Sequence, residues 1–365
     1  MKNRIFLAIA LLFCTSGANA QAIEKRLQHI ADSFYQAIPN TTGIVIHVAA
    51  PDEQLSWSYA TGYADKNTKQ LLAADQPVLI ASNTKTYVAA AILKLCEQGK
   101  VALEDPVGPL ISERSRILLQ NDGYELDAIH IRHLLSHSSG ISDYTEGDYF
   151  DFVNTHRQYH WTRDEQIERT VEITQPLAAP GDTFKYADVN YLLLTEIIEQ
   201  QTHKPFYTAI RALLGYNRLK LRQTWFTELE PSPEDGKELA HQYWSKYPWD
   251  SYDLDPSWDL YGGGGIAATA ADLAWFFQYL FEGRIVQDKQ LLRAMHTEVL
   301  NHYCLGVKNI QVGGLEAWYH GGFWGTDAAY FPALNCSVSV FILQKDERDK
   351  GGAICKEIVT ALQQH

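Results

Sequence analysis

Apolar and polar residues alternate near both ends of the chain, and this alternation is typical of half-buried β-strands. Four segments show it and are predicted as strands, at residues 42–49, 55–63, 327–331 and 337–343. A helical spacing of apolar residues precedes the first strand, at residues 22–38, and follows the last, at residues 352–364. The pattern therefore predicts one sheet assembled from N- and C-terminal segments, with helices beside it.

The long middle of the chain, residues 81–299, is mainly helical in its spacing. Its clearest helical periods cover residues 86–98, 131–135, 190–201 and 270–281. The prediction is an α/β (α+β) fold with a large helical insertion. We expect a single domain over residues 21–365, in which residues 21–80 and 300–365 form the α/β part.

Two segments of the middle region are rich in aromatic and acidic residues and have no steady period. They are residues 144–161 and 243–261. We interpret both as long loops, because neither the helical nor the strand period fits them. Long ordered loops often carry function, and packing over the helical region is the alternative.

The first twenty residues are predicted to be a signal peptide. Lys2 and Arg4 form a basic start, residues 5–13 are apolar, and residues 18–20 are a small-residue cleavage site ending at Ala20. The apolar run is too short for a membrane anchor. The sequence thus predicts export of a soluble protein, either to a periplasm or out of the cell.

The charge of the chain narrows its possible partners. The formal net charge is −13, and loss of residues 1–20 with their two basic residues makes it −15. An acidic chain without basic clusters excludes nucleic acid as a partner. The 20 tyrosines and 9 tryptophans indicate a globular protein with a substantial apolar core.

Cysteine and histidine spacing gives no sign of a metal site. Four cysteines follow the predicted signal peptide, and none are in C-x-x-C spacing: Cys96, Cys304, Cys336 and Cys355. Export would permit a disulfide, and buried free thiols fit equally well. Two histidine pairs have helical i, i+4 spacing, but neither forms an H-E-x-x-H motif: His133 with His137, and His156 with His160. We expect no metal and no other cofactor.

Ser82 and Lys85 form a Ser-x-x-Lys pattern at the point where the helical middle begins. A serine hydroxyl needs a base within hydrogen-bond reach to become a nucleophile. On a helix, residues three apart lie on one face, so the lysine amine can reach the serine oxygen. The unpaired amides at the helix start would also favour developing negative charge. The pattern alone fits equally a helix-capping serine followed by an exposed lysine.

Two further segments supply chemistry that a serine nucleophile would need. Tyr186 precedes a predicted helix, and a nearby cation could lower the pKa of its hydroxyl enough for proton transfer. His320 is followed by Gly321 and Gly322 at a strand end, where glycines let a substrate approach the backbone closely.

Taken together, these motifs resemble those of the class C serine beta-lactamases, the related D-alanyl-D-alanine carboxypeptidases and the esterases akin to them. The resemblance covers nearly the whole chain after residue 20. Its motifs, in chain order, are Ser82-x-x-Lys85, residues 131–141 (IRHLLSHSSGI), Tyr186-Ala-Asp188, residues 261–272 (YGGGGIAATAAD) and His320-Gly321-Gly322. The resemblance implies an antiparallel sheet and a serine hydrolase that works through an acyl-enzyme.

The resemblance also implies a role for each motif residue. Ser82 attacks the substrate carbonyl, and Lys85 and Tyr186 transfer its proton to the leaving group. The backbone N–H groups of Ser82 and Phe323 form the oxyanion hole. The expected substrate-binding residues are Asp188, His320, Gly321 and Gly322.

Two residues depart from the family pattern. Asp188 replaces an asparagine that can donate to a substrate carbonyl, so either it pairs with Lys85 or substrate recognition has changed. His320 replaces a lysine, and histidine is largely neutral at pH 7. Both changes favour a D-alanyl-D-alanine carboxypeptidase-like or esterase-like enzyme over a beta-lactamase. The expected partner is a small molecule or peptide: a D-amino-acid peptide, an ester or a beta-lactam.

An alternative of another class is a catalytically weak protein that binds peptidoglycan fragments. Asp188 and the aromatic segment at residues 243–261 motivate it, because aromatic faces stack on sugars.

Overall fold

The structure, a computed structural model, describes residues 21–364. The predicted signal peptide lies outside these residues. The strands in chain order are β1 Gly43–Ala50, β2 Leu55–Asp65, β3 Gln70–Leu71, β4 Val78–Leu79, β5 Thr224–Phe226, β6 Tyr243–Trp244, β7 Trp249–Asp250, β8 Ile266–Ala268, β9 Lys308–Val312, β10 Leu315–Gly322, β11 Thr326–Phe331 and β12 Cys336–Ile342.

The helices begin with α1, residues 21–37. The others are α2 Thr84–Glu97, α3 Glu113–Asn121, α4 Ile131–Leu135, α5 Tyr149–Thr155, α6 Arg163–Ile173, α7 Val189–Thr202, α8 Phe206–Leu214, α9 Tyr216–Leu219, α10 Ala270–Phe281, α11 Lys289–His296 and α12 Gly351–Gln363. Within residues 21–364, no helix is both long and apolar enough to span a bilayer.

Seven strands form one antiparallel sheet in the order β3-β2-β1-β12-β11-β10-β9. Its centre joins the two ends of the chain, since β1 pairs with β12 from Ile44 opposite Ile342 to Ala49 opposite Ser337. The predicted sheet of N- and C-terminal segments, its antiparallel form and the helical insertion are thereby confirmed.

Side chains of alternate strand residues point to opposite faces of the sheet, so each face has its own apolar core. Ile44 and Ile46 pack with Leu27 of α1 and Ile358 of α12 on one face. Val45 belongs to the larger core on the other face, which also contains the apolar residues of α2 and α10. The helical insertion therefore covers the face opposite the terminal helices.

The insertion contains structure that the sequence pattern did not predict. A small sheet of strands β4, β8 and β5 links its ends. The two segments interpreted as long loops hold a short helix, α5, and a two-stranded hairpin, β6–β7, respectively. The interpretation of both as long loops is corrected to this extent, because each contains a short regular element. The strands are only two residues long and the helix seven, too short for a period to show.

Aromatic side chains of these two segments pack against one another. Trp249 and Trp258 are buried, and the ring of Phe150 lies parallel to that of Phe323 with centroids 5.8 Å apart. This arrangement fits packing over the helical region, and Phe150 and Trp258 also line the cavity described below.

All four cysteines after residue 20 are free thiols in the structure. Cys304, Cys336 and Cys355 are buried, and Cys96 is partly buried. Burial raises the pKa of Cys96 and of Cys304 to about 12. These thiols are therefore unreactive apolar fillers.

Candidate active site

Ser82 lies in a tight 3-10 turn, Ala81–Asn83, that leads directly into α2. Ala81 has φ +46°, a left-handed conformation that costs a non-glycine residue about 1–2 kcal/mol. The turn is held by Asn83, whose amide donates to the carbonyls of Ile80 at 3.1 Å and Thr326 at 2.9 Å. The strained turn therefore stays in place because β11 binds it.

Strand β10 passes so close to this turn that only glycine fits at its end. A Cβ on Gly322 would lie 2.1 Å from Oγ1 of Thr326 and 2.4 Å from the carbonyl oxygen of Ile80. Phe323 follows at once, so its backbone is carried to the turn that bears Ser82. An oxyanion hole built from the amides of Ser82 and Phe323 would need these two segments to lie side by side in this way.

Lys85 is fully buried, and its ammonium contacts three acceptors. Nζ lies 3.1 Å from Oγ of Ser82, 2.5 Å from the carbonyl oxygen of Gly263 and 2.6 Å from Oδ1 of Asp188. An exposed lysine beside a capping serine is therefore excluded. Of the two explanations for Asp188, the geometry shows the ion pair with Lys85.

The charge state of this group follows from burial and neighbouring charges. Burial by itself lowers the pKa of Lys85, but Asp188 and the other acidic groups around Nζ together outweigh it, and the pKa is raised above the usual value. Burial raises the pKa of Tyr186 to about 12, although Lys85 opposes the shift. At neutral pH the lysine is thus an ammonium and the tyrosine a neutral phenol.

Tyr186 is positioned by a histidine that the sequence reasoning did not assign to the site. The ring of His137 lies 4.2 Å from that of Tyr186, centroid to centroid, and its Nδ1 accepts from the backbone N–H of Ala187 at 3.2 Å. Burial lowers the pKa of His137 well below its usual value. His137 lies within residues 131–141, one of the segments that resemble the family. This resemblance was the signal in the sequence that could have assigned His137 to the site.

His320 is held by hydrogen bonds at both ring nitrogens. Its Nδ1 lies 3.0 Å from the carbonyl oxygen of Gly321, and its Nε2 lies 3.0 Å from the hydroxyl of Tyr303. Because a carbonyl only accepts, Nδ1 carries the proton and Nε2 accepts from Tyr303. Burial, and then the charge of Lys85, lowers the pKa of His320 to about 3. The lowered pKa agrees with the expectation that this histidine is largely neutral at pH 7.

Two more carboxyl groups, also missed from the sequence, lie close to the ion pair. Asp143 accepts from the backbone N–H of Val189 at 3.3 Å and from Thr145 at 2.6 Å, so it holds the start of α7. Asp259 lies against Gly264, where a Cβ would come within 2.3 Å of its Oδ2. Burial, followed by the charge of Asp188, raises the pKa of both carboxyls.

The predicted residues share one cavity of about 650 Å³. Most line it directly: Ser82, Tyr186, Asp188, His320, Gly321, Gly322 and Phe323. Lys85 lies beneath them, out of contact with solvent. Phe150 and Trp258 form an aromatic wall, and the cavity continues past Asp327 towards α12, so only part of its volume adjoins the serine. Within residues 21–364, no group of three or more His, Cys, Asp or Glu side chains is arranged to hold a metal ion.

Comparison with known proteins identifies the family. The family model described as "Beta-lactamase" matches residues 31–354. The chain belongs to the beta-lactamase family. The resemblance found in the motifs is confirmed, and so is the prediction of an enzyme of the serine-hydrolase type found in this family.

Its sequence relatives carry several activities in their names. The D-alanyl-D-alanine-carboxypeptidase/endopeptidase AmpH of Escherichia coli is 25% identical over 260 residues, 71% of this chain and 61% of AmpH. Esterase EstB of Burkholderia gladioli is 29% identical over 221 residues, 58% of this chain and 54% of EstB. The chain thus matches only about three fifths or less of these relatives' lengths.

Solved structures show the same fold. D-amino acid amidase from Ochrobactrum anthropi SV3 superposes with a TM-score of 0.79 at 21% identity, covering 94% of this chain and 99% of the amidase. A D-stereospecific amidohydrolase from Streptomyces sp. gives 0.75 at 24% identity, covering 93% and 98% of the two chains. This level of identity supports the fold and not the substrate.

Proposed function

We propose that this protein is an exported serine hydrolase that forms an acyl-enzyme on Ser82. The contact that carries the proposal is the 3.1 Å hydrogen bond between Nζ of Lys85 and Oγ of Ser82. Burying a lysine costs the solvation energy of its charge. The contact of this lysine with a serine beside an open cavity supports a chemical role for that charge. A lysine placed only for solubility would lie in water instead.

The proposed reaction uses each motif residue in one step. Oγ of Ser82 attacks the substrate carbonyl carbon while its proton passes to the Lys85–Tyr186 pair. The amides of Ser82 and Phe323 stabilise the oxyanion. The pair returns the proton to the leaving group, and a water molecule then hydrolyses the acyl-enzyme by the same route.

We favour D-alanyl-D-alanine carboxypeptidase-like, other D-peptidase-like or esterase-like activity over beta-lactam hydrolysis. Asp188 accepts hydrogen bonds and cannot donate one to a substrate amide carbonyl while it is ionised. The neutral ring of His320 cannot form an ion pair with a substrate carboxylate, and both beta-lactams and D-alanyl-D-alanine peptides carry one, so this ring favours an ester among the candidate substrates. The names of the carboxypeptidase, esterase and amidase relatives agree with this choice.

Covalent labelling tests the proposal. A fluorescent fluorophosphonate and a fluorescent penicillin should each label the wild-type protein, and Ser82→Ala should abolish the label because the nucleophilic oxygen is gone. Ser232→Ala, an exposed serine, serves as the matched control and should label like wild type. Absence of any Ser82-dependent label from both probes would contradict the proposal.

The fate of the penicillin label separates the candidate activities. A label that persists for minutes supports a peptidase, whereas rapid loss with ring-opened product would indicate a beta-lactamase. For export, protein recovered from the periplasm of an expressing bacterium should begin at Gln21.

A further inference from the structure

The ammonium of Lys85 has as many close acceptors as it has protons. A lysine ammonium carries three N–H donors and no acceptor. Ser82 and Gly263 accept hydrogen bonds from Nζ at 3.1 and 2.5 Å, and Oδ1 of Asp188 lies 2.6 Å from Nζ as its ion-pair partner. In this state Lys85 donates to the serine oxygen, which is the wrong direction for a base.

Before Lys85 can take the serine proton, it must release one of its own. Of its three partners, Ser82 is the source of the proton to be moved. The carbonyl of Gly263 is a poor proton acceptor. The carboxylate of Asp188, 2.6 Å from Nζ, is the remaining partner and a true base.

Other groups around the pair do not replace it. Tyr186 starts as a neutral phenol, so it can pass a proton on but cannot absorb one at the outset. His320 uses its Nε2 to accept from Tyr303. His137 uses its Nδ1 to accept from a backbone amide. Asp259 does not lie within ion-pair distance of Lys85, which pairs with Asp188 instead.

We propose that Asp188 is the terminal proton acceptor of the nucleophile, acting through Lys85 as a Ser-Lys-Asp relay. The proposal rests on the acyl-enzyme function proposed above. In the family pattern an asparagine occupies this position, and an amide cannot accept a proton at neutral pH. The departure from the pattern is thus a change in proton chemistry.

The proton count of the relay balances. As the bond between Oγ of Ser82 and the carbonyl carbon forms, the serine proton moves to Nζ of Lys85, directly or through the hydroxyl of Tyr186. Nζ simultaneously gives one of its protons to Oδ1 of Asp188. When the carbon–leaving-group bond breaks, Lys85 protonates the leaving group and recovers its proton from Asp188. No oxidant, reductant or further reactant is needed.

The pH dependence of serine labelling tests the relay. The rate constant for fluorophosphonate labelling of Ser82 is measured from pH 6.5 to 9 in wild type and Asp188→Asn. In the variant, Lys85 must lose its proton to solvent before it can act as a base. The wild-type rate should therefore exceed the variant rate by about 100-fold at pH 6.5, in the usual range for proton-transfer catalysis. This ratio should shrink as the pH rises.

The ratio is used because other ionisable groups face the ion pair. They are Asp143, Asp259, Tyr186, Tyr191, His137 and His320. All are present in both proteins, but Asp188→Asn removes a charge that raises the pKa of Asp143 and of Asp259, so these two carboxyls ionise at lower pH in the variant. Asp188→Glu, which keeps a carboxylate, accounts for this change of charge. Asp272→Asn, which alters a partly buried aspartate that does not line the cavity, is the matched control and should give a ratio independent of pH.

Each outcome decides the question. A wild-type to Asp188→Asn ratio that is constant across the pH range would overturn the relay and leave Asp188 a structural partner. Asp188→Glu keeps a carboxylate. Its labelling rate should be lower than that of wild type, but the ratio of the two rates should not change with pH. A pH-dependent ratio like that of Asp188→Asn would count against the relay. Thermal melting confirms that the variants fold. If wild type itself is not labelled at Ser82, the proposed function fails, and not merely the relay.

Discussion

Individual charges decide what the cavity can bind, and His320 shows that the residue type alone does not determine the charge state. A histidine in water would titrate near pH 6.5, within reach of a cationic role. Burial and the adjacent Lys85 lower its pKa to about 3, and its two hydrogen bonds keep one tautomer. The ring is therefore a neutral part of the cavity wall over the whole physiological range.

This charge state predicts how substrate binding responds to pH. Because the folded-state pKa of His320 is depressed, the ring protonates only far below neutrality, and nothing about it changes between pH 6 and 8. For an acyl-D-alanyl-D-alanine peptide, the ratio of KM in His320→Gln to KM in wild type should be the same at pH 6 and pH 8. The peptide's C-terminal amide is the uncharged control substrate. A ratio of the two KM values that changes about tenfold over this range, for the carboxylate substrate only, would show a cationic His320 instead.

At the scale of elements, the site is a junction between the turn that bears Ser82 and the end of β10. The helix α2 and the strand at residues 337–343 were predictable because their periods are long and regular. The 3-10 turn of Ala81–Asn83, the short strands β5 and β8, and the carboxyl groups of Asp143 and Asp259 were not. Three-residue elements show no period, and only the folded chain brings distant aspartates to one lysine.

The junction predicts a strong effect of one methyl group. Gly322→Ala would place a Cβ 2.4 Å from the carbonyl oxygen of Ile80, and backbone cannot move aside as a flexible side chain can. We expect a loss of about 1–3 kcal/mol in the free energy of unfolding, the usual cost of overpacking. We also expect the rate of Ser82 labelling to fall at least about tenfold. The added Cβ would push β10 away from the turn that bears Ser82, and the amides of Ser82 and Phe323 could then no longer both reach the oxyanion. Denaturant unfolding and fluorophosphonate kinetics measure the two effects.

Gly352 provides the matched control for that substitution. It lies in α12, and a Cβ there would meet no atom within 4 Å. Gly352→Ala should stabilise the protein by up to about 1 kcal/mol through helix propensity and leave labelling unchanged. Equal labelling rates in Gly322→Ala and Gly352→Ala would contradict the proposed contact between strand and turn.

At the scale of the whole molecule, the fold depends on pairing the two ends of the chain. The centre of the sheet is the β1–β12 pair, and α1 and α12 cover the same face of it. The sequence alone predicted that the N- and C-terminal segments share one sheet, because alternating segments occur only at the ends. The order of the strands within the sheet was not predictable, since alternation shows which residues face a core and not which strand is the neighbour.

The closeness of the ends predicts that the chain can be circularly permuted. Nη2 of Arg26 in α1 donates to Oε1 of Gln364 at 2.6 Å, and residue 21 is about 7.5 Å further along that helix. An eight-residue Gly/Ser linker reaches about 26 Å when extended, which is enough to join residue 364 to residue 21.

New ends opened between Gly99 and Lys100 fall in an exposed turn. This permutant should fold and retain Ser82 labelling within about threefold of wild type, because no sheet pairing or site contact is cut. A second permutant with the same linker but opened between Val338 and Ser339, inside β12, should not fold, since it divides the central strand. If the first permutant were unfolded like the second, the pairing of chain ends would not be the organising contact of this fold.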